Sequence, residues 1–134
     1  MPNPSRKPIL LVSRGLDPIG TGRQIELVAG GLLAAGFEVH AATTSAGGSL
    51  PDRLAASGCS VHRLGRRPVV DAAAAAGLVG LAARLRPAVL VAWGRSQIAP
   101  AAAVRMAVPG VRAVGWLGRP VGGARLACAL GRLD

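Results

Sequence analysis

Acidic residues are scarce in this chain: six Asp and Glu stand against sixteen Lys and Arg, for a formal net charge of +10. Lysine is nearly missing as well, Lys7 being the only one, so the excess is arginine. Such a balance favours anionic partners, whether nucleotide, nucleic acid or acidic lipid. Nucleic acid is disfavoured by a second shortage. Phe37, Trp93 and Trp116 are the whole aromatic complement, too few for the stacking platforms of single-strand binders. The arginines, moreover, are scattered singly or in pairs such as Arg66-Arg67 rather than in dense runs. Cysteine is limited to Cys59 and Cys128, with no CxxC spacing or accompanying histidine pair, so neither a zinc site nor a disulfide framework is indicated. Two reduced core cysteines of a cytoplasmic protein are expected. Long apolar runs are lacking too. None reaches the roughly 18 residues of a membrane span, and Ala72 to Ala83 is closed off by Asp71 and Arg84. The N-terminal apolar run is too short for a secretory signal.

What is present is organised around Gly20 to Val39, GTGRQIELVAGGLLAAGFEV. Thr21 and Gln24 have the spacing of a capping box, so a helix is predicted to begin at Gly22. Ile25, Val28, Ala29, Leu32, Leu33 and Gly36 then follow the spacing of one buried face. Gly36 suits the helix end, and Phe37, Val39 and Ala41 alternate as a strand. Upstream, Pro8 to Ser13 is almost wholly apolar, the pattern of a strand covered on both faces of a parallel sheet. In a right-handed crossover the loop of Arg14 to Gly22 lies at the carboxyl end of that strand, where open α/β sheets bind ligands. Unpaired N–H groups at the positive end of the helix dipole suit a phosphate or carboxylate there.

The pattern then repeats. Ser49 to Ser57 reads as a short helix capped by Ser49 and stopped by Gly58, and Cys59 to Leu64 as a third strand. His62 in that strand has no partner in the pattern and reads as an ordinary strand histidine. After the basic loop of Gly65 to Pro68, Asp71 can cap a helix over Ala72 to Arg84. Leu78, Leu81 and Leu85 form its stripe, Gly77 and Gly80 permit a close neighbour, and Arg86-Pro87 ends it. Ala88 to Trp93 is a fourth strand, followed by Ser96 as a cap and a helix over Ile98 to Met106. Val111 to Leu117 is a fifth strand, and Leu126, Leu130 and Leu133 mark a last helix. The fold class predicted is α/β: one domain over residues 1–134, a doubly wound, Rossmann-like parallel sheet of about five strands with helices on both faces. Because the chain stops on a helix that would ordinarily feed another strand, a product truncated before a further domain is expected.

Two nucleotide motifs fail on the first loop. GxGxxG finds Ile25 where its third glycine belongs, and the second strand ends in Ala42, Thr43 and Thr44 instead of a ribose-binding acid. A Walker A loop finds Thr21-Gly22 where Lys and Ser/Thr are required. A different resemblance covers nearly the whole chain through the order and spacing of soft motifs. Leu27-Val28-Ala29, Leu32 and Gly36-Phe37-Glu38-Val39 resemble the "L-A-x-x-L" helix and "G-H-E-V" strand entry of family four, GT-B-fold glycosyltransferases. Gly58-Cys59-Ser60-Val61 resembles that family's "G-x-x-V", Arg86-Pro87-Ala88-Val89-Leu90 its "R-P-D-V-V", and Val108-Pro109-Gly110-Val111 its "G-V-P". The chain departs from the pattern at Phe37, at Gly20-Thr21-Gly22 in place of adjacent glycines, and at Trp116 to Arg119, where many relatives carry a histidine.

The resemblance implies the acceptor-side, N-terminal half of an enzyme that moves a sugar from a nucleoside-diphosphate-sugar to a sugar or lipid acceptor. The nucleotide-sugar pocket and its paired glutamates would belong to a missing C-terminal domain. The diphosphate would be stabilised by helix N-termini and cations, with no metal or other cofactor. Substrate-binding candidates are Gly20, Thr21 and Gly22 in the first loop, with Arg14, Arg95 and Arg119 following three different strands and converging on one rim. A tight turn for the glycines and solvated surface positions for the arginines are the plain structural alternatives, and no catalytic residue is assigned. Asp17 reads as a loop-turn residue or a contact for a sugar hydroxyl, and Trp93 and Trp116 as packing or as a sugar platform. The arginine excess would also suit the anionic inner face of a membrane. A nucleotide-sugar epimerase half and a non-catalytic α/β binding domain are the competing readings.

Overall fold

The computed structural model describes residues 7–14, 21–44, 51–65 and 72–116. Strands and helices alternate: β1 (Ile9–Ser13), α1 (Thr21–Ala34), β2 (Val39–Thr43), α2 (Pro51–Ala56), β3 (Ser60–Arg63), α3 (Ala72–Leu85), β4 (Val89–Trp93), α4 (Ile98–Ala107) and β5 (Arg112–Trp116). A 3₁₀ turn over Arg95–Gln97 leads into α4. All four strand pairings are parallel, in the order β3-β2-β1-β4-β5. The predicted five-stranded, Rossmann-like sheet is therefore present.

Burial divides as strand alternation requires. Leu10 and Val12 of β1 meet Leu78 and Leu81 of α3, Ile98, Ala101 and Val104 of α4, and Leu90 of β4 on one face. Ile9 and Leu11 meet Ile25 and Ala29 of α1, Leu54 of α2, Val39 and Trp93 on the other. Each fully buried leucine contributes roughly 1.5–3 kcal/mol. Central strands β1 and β2 are buried at every position, which explains the apolar run of β1, whereas β5 alternates between exposed and more covered positions and β3 has no buried position.

Helix ends follow local chemistry closely. Gly36 has φ +88°; its N–H binds the Leu33 carbonyl and the Phe37 N–H binds that of Leu32, the paired bonds of a Schellman cap. Gly58, φ +103°, repeats this at the end of α2 through Gly58 to Ala55 and Cys59 to Leu54. At the end of α3 the left-handed residue is Arg86, φ 47°, and the following residue is Pro87, which has no N–H for the second bond. Only the single Arg86 N–H to Ala82 carbonyl bond, 2.8 Å, closes that helix.

Some expectations fail. α1 begins at Thr21 rather than Gly22, and α4 starts at Ile98 with no side-chain cap. Ser96 lies inside the 3₁₀ turn, which Gly94 begins with φ 90°, and its hydroxyl receives the Gln97 Nε2–H at 3.0 Å. Among the described residues a Cβ at Gly80 would meet nothing within 4 Å and one at Gly77 would make ordinary contact with Leu64, so none of them demands either glycine. The caps assigned to Ser49 and Asp71, the basic loop at Arg66-Arg67 and the helix predicted around Leu130 lie outside the described residues. Among the described residues, no helix is long and apolar enough to cross a membrane.

Candidate functional site

Strand order fixes where a ligand crevice can form. From β1 the chain passes outward to β2 and β3 on one side, then returns to place β4 against the opposite side of β1. The turns leaving the carboxyl ends of β1 and β4 therefore diverge at the topological switch point, the usual ligand position in open parallel sheets. Arg14 leaves β1 directly and Arg95 opens the 3₁₀ turn two residues past the end of β4; both are exposed. Thr21 and Gly22 are the first two residues of α1, whose positive dipole end is at this same edge, and Gly22 is buried. The fold thus brings Arg14, Thr21, Gly22 and Arg95 to one edge. Gly20, Asp17 and Arg119 lie outside the described residues.

A polar bridge with no signature in the residue pattern spans this edge. Gln97 is fully buried; its Oε1 accepts the Thr44 hydroxyl at 3.0 Å, and its Nε2 donates to Ser96. Thr44 extends the carboxyl end of β2, and its N–H donates to the Ser13 carbonyl at 3.0 Å. The turn after β4 is thereby tied, across the end of β1, to the turn after β2. Unmade, either buried polar group would cost about 1–3 kcal/mol, so the bridge holds both turns in one geometry. Thr43 and Thr44, which stand where a ribose-binding acid would be, are both buried.

Trp93 and Trp116 occupy paired positions at the carboxyl ends of β4 and β5, with ring centres 5.6 Å apart and planes 19° apart. Their roles differ: Trp93 is 3% exposed and belongs to the core, while Trp116 is 47% exposed. The Trp93 Nε1–H is buried with no hydrogen-bond partner among the described residues. The Gly94 N–H donates to the Trp116 carbonyl at 3.0 Å, joining the turn after β4 to the end of β5.

Away from this edge, a chain of titratable groups links β2 and β3. His40 Nε2 lies 2.7 Å from Glu38 Oε1, and His40 Nδ1 lies 2.9 Å from His62 Nε2. His62 lies in β3 as read from the pattern, and the fold gives it a partner that the pattern did not show. That partner is 22 residues distant on the neighbouring strand, where periodicity cannot reveal it. Burial, the nearby His40 and Arg84 together lower the His62 pKa below its usual 6.5. Cys59 is buried, and desolvation pushes its thiol up to about 11, so it is no nucleophile at neutral pH. Among the described residues, no group of three or more His, Cys, Asp and Glu is placed to hold a metal ion. Neither a family model nor a curated protein sequence matches the chain.

Proposed function

We propose that the chain is the acceptor-side half of a two-domain GT-B glycosyltransferase, acting on a nucleoside-diphosphate-sugar donor and a sugar or lipid acceptor. The observation that supports this reading most is the meeting of the α1 start, Arg14 and Arg95 at the switch point of a β3-β2-β1-β4-β5 sheet. Helix dipole and guanidinium groups together favour an anion there, as a leaving diphosphate or an anionic acceptor requires. The motif resemblance supplies the reaction class, and in such an enzyme a second, C-terminal domain would supply the donor pocket and acid residues. Alone, the chain would bind weakly and transfer nothing. An anionic membrane face is the setting in which a lipid acceptor and this arginine content would meet.

Titration calorimetry of the chain with a panel of nucleoside-diphosphate-sugars and with acidic vesicles tests the reading. Saturable, salt-sensitive binding is expected, falling about tenfold or more in an R14A/R95A variant, since exposed charges act through screened attraction. Heat from vesicles alone would direct the rim to a surface rather than a small molecule. Silence with every probe would remove the basis for an anion-binding rim.

A further inference from the structure

We propose that Glu38, His40 and His62 form a proton-sensitive clasp that holds edge strand β3 on the sheet and releases it in acid. Geometry sets the protonation pattern. A carboxylate only accepts, so His40 Nε2 carries the hydrogen that meets Glu38 Oε1 at 2.7 Å. Neutral His40 is then left with a bare Nδ1, which accepts from the His62 Nε2–H at 2.9 Å. The ring centres are 5.2 Å apart with planes 17° apart. That separation equals the N···N distance plus one ring radius at each end, so the rings meet edge to edge along a straight hydrogen bond rather than face to face.

Such a bond tolerates one added proton and not two. An imidazolium on either side still donates to a neutral neighbour; two imidazoliums would point N–H at N–H. The surroundings penalise the second proton. His40 is buried, and Arg84 of α3 adds positive charge beside His62. Leu10 and Ser60, the positions paired with His40 on β1 and β3, carry no charge, and Ala42 is paired with His62. Arg63, the next residue of β3, is directed to Asp52 at 3.6 Å. Glu38 is therefore the one anion touching the chain of rings among the described residues.

The strand at stake is weakly held otherwise. β3 has four residues, none buried, and α2 beside it has six, too few to persist as an isolated helix. The fully buried strands β1 and β2 do not share this dependence. Because the closed form lowers the His62 pKa, it binds fewer protons than the open form. Its stabilising effect is complete above pH 6.5 and is lost progressively as pH falls below that value.

Native-state hydrogen exchange on the full chain, corrected for intrinsic rates, tests this between about pH 7.5 and about pH 5. Protection of the β3 amides is expected to fall a few-fold relative to those of β1 and β4. His62→Gln, whose amide can still donate to His40 Nδ1 but does not titrate, should lose this selective fall. Equal behaviour of β3 and the central strands in the unmodified chain, or an unchanged fall in H62Q, would overturn the clasp. Imidazole nitrogen NMR on the unmodified chain gives a readout that needs no substitution. The His62 ring is expected to titrate below its usual 6.5, and a His62 ring titrating at or above that value would equally overturn it.

Discussion

Two buried or half-buried polar pairs tie this sheet together, and they differ in kind. Gln97 and Thr44, at the carboxyl edge, are neutral at any ordinary pH and completely enclosed, so their bond is permanent once the chain folds. His40 and His62, on the β2–β3 side, share a hydrogen bond that depends on which protons are present, and His62 is only half-buried. The difference shows how one sheet can hold a rigid ligand edge beside a conditional border. Enclosure without charge gives constancy; partial enclosure of titratable rings gives response.

The largest effect expected is from Gln97→Ala, which leaves the Thr44 hydroxyl unsatisfied and opens a cavity. Urea unfolding should show a loss of about 2–3 kcal/mol at every pH from 5 to 8, by the usual cost of stranded polar groups and voids. Thr44→Val should cost about 1–2 kcal/mol, and the double variant Q97A/T44V should cost less than the two combined, with a coupling of about 1 kcal/mol. Simple additivity would mean the two side chains do not act as a pair. Below these comes the pH contrast. Stability of the unmodified chain against urea should decline below pH 6.5, and H62Q should flatten that decline, whereas the Gln97 variants should leave its slope intact. Smallest is the exposed ion pair of Arg53 and Glu26, 2.8 Å apart with the arginine side chain 62% exposed. Arg53→Ala should change stability by no more than about 0.5 kcal/mol, because solvent screens such pairs.

Legibility followed the range of each interaction. Gly36 and Gly58 could be read as helix stops because a positive φ is a demand on one residue, and both adopt it. The buried run of β1 could be read as a parallel-sheet strand because burial on both faces removes the alternation that an exposed face would impose, whereas β2, read from the alternation of Phe37, Val39 and Ala41, is buried at all five positions. Ser96 misled because a serine ahead of an apolar run is also what a 3₁₀ turn can carry. Gly94 begins that turn, and the cap position passes to Gln97, which bonds elsewhere. Gln97 itself gave no signal: a lone glutamine becomes structural only when a partner 53 residues away closes over it. Arg14 and Arg95 could be placed at strand ends, but their shared edge depended on β4 lying against β1.

The sequence alone determined the alternation of elements, the parallel class of the sheet, the helix stops and the positive charge, since each rests on residues within a turn or two of one another or on composition. Only tertiary structure decided which strands are neighbours, that Gln97 meets Thr44, that His40 meets His62, and that Trp93 is enclosed while Trp116 is not. The reason is physical: local conformational preference is set by each residue's own backbone and near neighbours. A side chain's partner, by contrast, is set by strand order and register, which come from burying both faces of the sheet at once.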